Sequence, residues 1–416
     1  MHVGIGNFSR AHQAWYTMRA DATAGWGICA FTGRRPAVAE ALAPQQGLYT
    51  LIERGPVDDR LTVVDVLSDV RPGADLDSLI AAVALPQTAV VTLTVTEAGY
   101  APVVADPAAS ALGRLALALG ERHRRGAQPV AIVSCDNLRA NGLVLRTRML
   151  ELAETLDARL ADWIANEVAF VSTSADRITP ATTDADRALV AQELGLVDVA
   201  PVVCEPFSDW VLCGEFPAGR PDWERAGARF VDQIEPWEER KLWLLNGGHC
   251  LLAYLGLPRG HETVAEAVAD PQLSSALERF LDLAQRHLPA GDLDLATYRR
   301  ELRERFANAR IGYPLKQIAA DGLEKLRNRV VPVIEAALAG GDEAEPALRI
   351  VEAWARWLIG DPDRARSDQS GERLRAALRG SGRGEQASGL LELLAPGLAE
   401  AATTQHQGGD LEHRIG

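Results

Sequence analysis

Lysine is nearly absent: of the 43 basic residues in this 416-residue chain only Lys241, Lys316 and Lys325 are lysine, and the other 40 are arginine. Such a chain is expected to keep lysine where an amine that sheds its proton on burial is wanted, because a guanidinium stays charged. Cysteine is also sparse. Five widely spaced thiols with no CxxC pair give neither a disulfide framework nor a zinc site, and suit a reducing compartment. No apolar run reaches the roughly 18 residues of a membrane span, and the amino terminus does not read as a signal peptide, so a soluble, cytoplasmic protein is expected. A formal charge of −14, with no basic run carrying interleaved aromatics, excludes a nucleic-acid surface. What remains is ordinary globular composition, 47% hydrophobic and 24% charged, in a chain long enough for two domains.

The first half alternates short apolar runs with helical ones. The chain opens on a strand end at His2 to Ile5, a turn through Gly4 and Gly6, and a helix from Arg10 to Arg19. Strand, glycine turn and helix in that order suit a dinucleotide pyrophosphate, although the third glycine is replaced by the stretch Asn7, Phe8, Ser9. Few residues precede the glycines; either the first strand is short or the natural start lies upstream. A second strand, Trp26 to Thr32, is followed by Arg34 and Arg35 rather than by the acidic residue that holds adenosine ribose hydroxyls, which leaves NADP open beside NAD. Leu48–Arg54 and Leu61–Leu67 read as strands, and Leu76–Ala84 as a helix. The β-branched run Ala89–Thr96 and the run Val130–Ser134 read as buried parallel strands. They end in Thr96 and Glu97, and in Asp136 and Asn137, beyond the carboxyl ends where open α/β sheets bind ligands. Helices are expected over 107–125 and 142–165, and a strand over 169–172 ahead of Asp176 and Arg177.

From Glu235 the pattern becomes helix after helix, and the first of them carries the chemistry. Glu238–Gly256 is apolar nearly all round yet holds Glu238, Lys241, Asn246 and His249, whose burial requires a reason. On an ideal α-helix with Lys241 at 0°, Glu238 falls at about 60°, His249 at about 80° and Asn246 at about 140°. One polar stripe of about 140° is therefore expected, at the cleft beside the first domain. The plainer alternative is a solvated first turn followed by a satisfied core histidine.

Six ordered blocks resemble the mannitol dehydrogenase family of polyol-specific long-chain dehydrogenases: GIGNFSRAHQA at 4–14, LTVTEAGY at 93–100, SCDNLRANG at 134–142, DRITP at 176–180, CEPFSDW at 204–210 and EERKLWLLNGGH at 238–249. The resemblance implies a Rossmann-like NAD(P)-binding domain over 1–233, a mostly α-helical substrate and catalytic domain over 234–403, and a tail at 404–416. It implies a metal-independent hydride transfer between a sugar alcohol and nicotinamide, and a monomer. Lys241 would be the base, Asn137 and Asn246 donors to the reacting oxygen, His249 the residue that orients a substrate hydroxyl, and Glu238 the proton exit. Gly4, Gly6, Asn7, Phe8, Arg10, Arg34, Thr96 and Glu97 would hold the cofactor, and Asp176, Arg177 and Lys325 the substrate. Where the family commonly has Asp-Gly-Ser-x-Lys, this chain has Asp321, Gly322, Leu323, Glu324, Lys325, and where a proline often follows it has Arg327; both departures bear on substrate identity.

The reading that results is an NAD(P)-dependent oxidoreductase interconverting a mannitol-type polyol, or its phosphate, with the ketose. A hexuronate reductase joining fructuronate and mannonate is the alternative within the class, with Arg327 and Arg329 as partners for an anionic group. A nucleotide-binding protein without turnover is the alternative outside it.

Overall fold

The computed structural model describes residues 1–20, 25–101, 106–289 and 291–398; the expected tail lies outside the described residues. The chain divides into two compact units, Met1–Glu235 and the residues from Pro236 on.

In the first unit, β1 (His2–Val3), β2 (Ile28–Phe31), β5 (Leu67–Arg71), β6 (Val90–Leu93), β7 (Ala131–Ser134) and β8 (Ala169–Asp176) are parallel neighbours in the order β5-β2-β1-β6-β7-β8. Numbered along the chain this is 3-2-1-4-5-6, the doubly wound order whose direction reverses between β1 and β6. β10 (Asp209–Cys213) adds antiparallel to β8 and β11 (Arg229–Phe230) parallel to β10. A separate sheet, β4-β3-β9, is built from β3 (Tyr49–Arg54), β4 (Asp59–Val64) and β9 (Val202–Cys204).

Every residue of β6 and β7 is buried, as β-branched runs covered on both faces require. One face is closed by α4 (Leu76–Ala84), α5 (Ala111–Arg124), α6 (Asn141–Leu156) and α7 (Ala158–Glu167), through Leu79, Val83, Leu115, Leu119 and Met149. The other core joins α2 (Gln13–Ala20) to the strands through Trp15, Tyr16, Trp210 and Trp223.

Three expectations change. The single strand at Leu61–Leu67 is two, with β4 in the small sheet and β5 at the edge of the large one. The first helix begins at Asn7 and breaks at His12, so α1 (Asn7–Ala11) sits directly on the glycine turn. The helix over 142–165 is divided at Asp157, whose carboxylate accepts from the Arg159 amide and caps the second segment.

In the second unit, α9 (Glu235–Arg240) continues through Lys241–Asn246 into α10 (Gly247–Gly256), all ten residues of which are buried. Around it stand α11 (Val264–Ala269), α12 (Pro271–His287), α13 (Leu295–Ala307), α14 (Leu315–Ala319), α15 (Gly322–Arg329), α16 (Val331–Ala339), α17 (Glu345–Gly360), α18 (Gly371–Ala377) and α19 (Arg383–Leu394). Leu273, Ala276, Leu277, Phe280, Leu281 and Ala284 make the buried stripe of α12 at helical spacing. Pro332 ends one helix and opens the next, as its missing amide dictates. No helix among the described residues is long and apolar enough to cross a membrane.

Candidate active site

The glycine turn is fixed by what a side chain would strike. Gly4 has φ +96° and an added Cβ would lie 2.2 Å from the Thr94 carbonyl oxygen, so only glycine lets β1 turn against the end of β6. At Gly6 an added Cβ meets nothing nearer than the Gly4 oxygen at 3.9 Å. The turn is thus pressed onto the sheet at one glycine and open at the next, at the point where the strand order reverses. An open backbone of this kind is what a dinucleotide pyrophosphate needs for close approach.

Arg10 is buried, and its donors go to the Gly6 carbonyl (3.1 Å), the Ala200 carbonyl (2.5 Å) and Asn7 Oδ1 (2.7 Å). These bonds shape the turn on which the expected cofactor would lie. Asn7, too, spends its side-chain oxygen on that bond. Arg34 is exposed just beyond β2, as are Thr96 and Glu97 beyond β6.

Thr96 holds φ +65°. The strain is met by Asp136, whose carboxylate accepts from the Thr96 amide (2.7 Å), the Val95 amide (3.2 Å) and the Tyr100 hydroxyl (2.8 Å). Burial pushes the Asp136 carboxyl up, and these bonds pull it back. Asn141 closes the same loop from the other side, with its amide nitrogen on the Asp136 and Thr173 carbonyls and its oxygen on the Thr173 amide. Asn137 stands exposed between these two anchors. Sequence reading missed both Asp136 and Asn141 as anchors.

Asp176 is buried at the carboxyl end of β8, in register with Asp209 of β10. Arg177 is consumed by the fold: it donates to the Ala11 and Glu205 carbonyls and to Glu53 Oε1 (2.7 Å), and lies 4.7 Å above the Trp15 ring. A guanidinium so engaged is a tie between strand ends.

In the second unit the helix departs from ideal geometry at the expected polar stripe. Lys241–Asn246 is a π-helix, with the Gly247 amide reaching the Leu242 carbonyl five residues back. One extra residue in a turn sets everything after it back by about 100°, so Asn246 moves from about 140° to about 40° and His249 from about 80° to about −20°. With Glu238 at about 60°, the polar stripe narrows from about 140° to about 80°. The π turn therefore gathers the four side chains onto one line. Glu238 and His249 are buried, while Lys241 and Asn246 are half-buried.

The neighbours explain why the helix keeps this shape. An added Cβ at Gly247 would lie 2.7 Å from the Phe280 ring and 3.3 Å from the Arg329 carbonyl oxygen, so α12 and α15 close directly onto the backbone that follows Asn246. The His249 ring packs between Phe306 (4.8 Å) and Tyr313 (5.4 Å), and burial pushes the Tyr313 phenol up. Among the described residues Asn246 Oδ1 is buried with no hydrogen-bond partner, a cost of about 1–3 kcal/mol. Arg240 is packed away between Trp237 and Tyr298, donating to the Leu293 carbonyl.

Lys325 donates to the Gln317 and Ile318 carbonyls (3.3 and 3.1 Å). Its pKa is held below the usual lysine range, by burial first and then by the charge of Arg329. Arg327 is tied to Glu324 and to the Leu393 and Leu394 carbonyls, which removes it as an anion partner.

The strand order, the open glycine turn at its reversal, and a helix that lines up a lysine, an asparagine and a histidine define a dinucleotide-dependent oxidoreductase acting on CH–OH groups. Residues 1–225 match the mannitol dehydrogenase Rossmann domain and residues 233–395 the mannitol dehydrogenase C-terminal domain. The chain belongs to the mannitol dehydrogenase family. It is 36% identical to D-mannonate oxidoreductase of Escherichia coli K12 over 86% of this chain and 80% of that protein. Identity to mannitol 2-dehydrogenase of Cereibacter sphaeroides is also 36%, over 87% and 81%. The structure of Pseudomonas fluorescens mannitol 2-dehydrogenase, a ternary complex with NAD and D-mannitol, superposes with a TM-score of 0.80 at 31% identity, covering 99% of this chain and 93% of that one.

Proposed function

We propose that this protein is an NAD(P)-dependent dehydrogenase of polyols or sugar acids that oxidises a secondary alcohol carbon of a mannitol-type hexitol, or of its phosphate, and reduces the corresponding ketose. The observation that carries this reading is the line of Glu238, Lys241, Asn246 and His249 drawn together by the π turn. The solved relative's complex with NAD and D-mannitol supports the choice of reactants.

Gly4, Gly6, Asn7, Phe8, Thr96 and Glu97 hold the nucleotide, with Arg34 beside the adenosine ribose. The open backbone at Gly6 fits a pyrophosphate. When bound, the nicotinamide supplies the acceptor or donor of a hydride. Lys241, neutral, takes the hydroxyl proton as the carbinol hydride leaves, and returns it in the ketose direction. Asn137 and Asn246 donate from their amide nitrogens to the oxygen as charge develops there, a role suited to a side chain that cannot titrate. His249 orients a neighbouring hydroxyl, and Glu238, one turn before the base, passes the proton on. Asp176 and Lys325 contact the rest of the substrate chain.

The test is NAD(P)H formation from mannitol, mannitol 1-phosphate, arabinitol and mannonate with each nucleotide, in wild type and Lys241→Ala. Loss of oxidation at pH 7 by roughly 100-fold or more, with nucleotide affinity retained, is expected. A folded Lys241→Ala protein that oxidises at the wild-type rate overturns the assignment of the base.

A further inference from the structure

The carboxyl end of β2 carries positive charge at the place where a dinucleotide fold ordinarily carries negative. β2 pairs with β1 in register, Ala30 with His2 and Phe31 with Val3. The Phe31 carbonyl accepts from both the Gly4 amide (2.8 Å) and the Ile5 amide (2.9 Å). The residues after Phe31 therefore stand one strand spacing, about 4.8 Å, from the glycine turn. In a doubly wound fold the adenosine ribose lies there, its 2′-hydroxyl held by a carboxylate near the end of the second strand. In this chain the residues that follow are Thr32, Gly33, Arg34 and Arg35.

Sterics do not forbid an acid at this point. Gly33 has no positive φ, and an added Cβ would meet nothing within 4 Å, so the backbone accepts a side chain and the space beside it is open. The neighbouring strand end does not supply the acid either. Asp69 and Asp75 are both taken by Arg71, at 2.6 and 3.3 Å. Arg34 and Arg35 are exposed, and among the described residues neither lies within salt-bridge distance of a carboxylate. The loop that carries them is braced. Thr32 donates its amide to the Arg71 carbonyl (3.0 Å) and accepts at Oγ1 from the Gly73 amide (2.9 Å). The β5 side closes so tightly that an added Cβ on Gly73 would lie 2.1 Å from the Thr32 carbonyl oxygen and 2.6 Å from that of Gly33.

We infer that Arg34 and Arg35 receive the 2′-phosphate of NADP, so that the phosphorylated nucleotide is the one this chain prefers. This rests on the proposed dinucleotide site at Gly4 and Gly6 and narrows it. Each guanidinium offers two parallel N–H donors to a phosphate, and the open space at Gly33 leaves room for the group. NAD presents a hydroxyl at the same place. It leaves both cations unmatched and meets no carboxylate that would accept its proton.

The experiment is calorimetric titration of wild type, Arg34→Ala, Arg35→Ala, the double variant and Gly33→Asp with NADPH and with NADH. Wild type is expected to bind NADPH roughly 100-fold more tightly than NADH, about tenfold for each charged partner. Each single arginine variant should lose about tenfold of that ratio and the double variant nearly all of it. Gly33→Asp, which restores the acid, should move the ratio towards NADH. A wild type that binds NADH as tightly as NADPH overturns the inference, and so does a ratio that neither the double variant nor Gly33→Asp moves. Should the variants not fold, wild type decides alone, by binding adenosine 2′,5′-bisphosphate more tightly than 5′-AMP or failing to. A wild type that binds neither nucleotide overturns the dinucleotide site and this inference with it. Failure of the Lys241 assignment shows separately, because nucleotide binding does not depend on turnover.

Discussion

The two units build their parts of the proposed chemistry from different materials. In the first, the proposed site is backbone: a glycine turn pressed against Thr94, a positive-φ threonine, and amides pinned by Asp136 and Asn141. In the second it is side chains, all on one helix, aligned by a π turn. The difference follows from what each must recognise. A pyrophosphate is met by peptide groups that any sequence supplies once the turn is held, whereas proton transfer needs an amine, an amide and an imidazole at set positions.

Breaking the backbone side should have the largest effect. Gly4→Ala places a methyl 2.2 Å from a carbonyl oxygen at φ +96°, and is expected to cost several kcal/mol and abolish nucleotide binding, read by fluorescence titration with NADH and by thermal unfolding. A variant that binds NADH as wild type does would erase the contrast between the units. Next comes the side-chain half. Asn246→Ala should lower kcat roughly 100- to 1000-fold while the thermal midpoint holds or rises, because it removes a buried acceptor without a partner. A large loss of stability at unchanged kcat would make Asn246 a structural residue.

The smallest effect concerns acid. His2 is buried between the Thr92 and Thr94 hydroxyls (2.8 and 3.0 Å), and burial lowers its pKa from 6.5 to about 3. Below pH 6.5 the unfolded chain takes up a proton that the folded one refuses, so stability falls as pH drops, by up to about 1.4 kcal/mol per pH unit until about pH 3. Hydrogen exchange from pH 7 to 4 should therefore rise in β1 and β6 before α10, and His2→Gln should flatten the trend. Equal loosening of both units would remove the distinction.

Much of this was legible in the sequence, for reasons that differ by residue. β6 and β7 announce themselves as buried β-branched runs, and the spacing of Glu238, Lys241, Asn246 and His249 is enough to place a polar stripe. The edge strand Leu67–Arg71 was not readable, because LSDVR has only two apolar residues, spaced three apart, and so lacks the period-2 alternation of a strand. Nor were the anchors. Asp136 meets Thr96 across 40 residues and Asn141 meets Thr173 across 32, distances that no local pattern spans. The same holds for Arg10 and Arg177, whose guanidinium groups look available until the Ala200 and Ala11 carbonyls claim them. The π turn, next to which α12 and α15 close on Gly247, leaves no mark in periodicity.

That turn makes the helix two rods joined with a rotational offset, like a vernier. Glu238 lies on α9 and Lys241 opens the π turn, while His249 on α10 packs against Phe306 and Tyr313. On the proposed assignment, small repacking around α10 swings the residues that would grip substrate by a few degrees without disturbing the proposed base and its proton exit. A scaffold joined in this way can change which polyhydroxy chain it would hold and keep the same base.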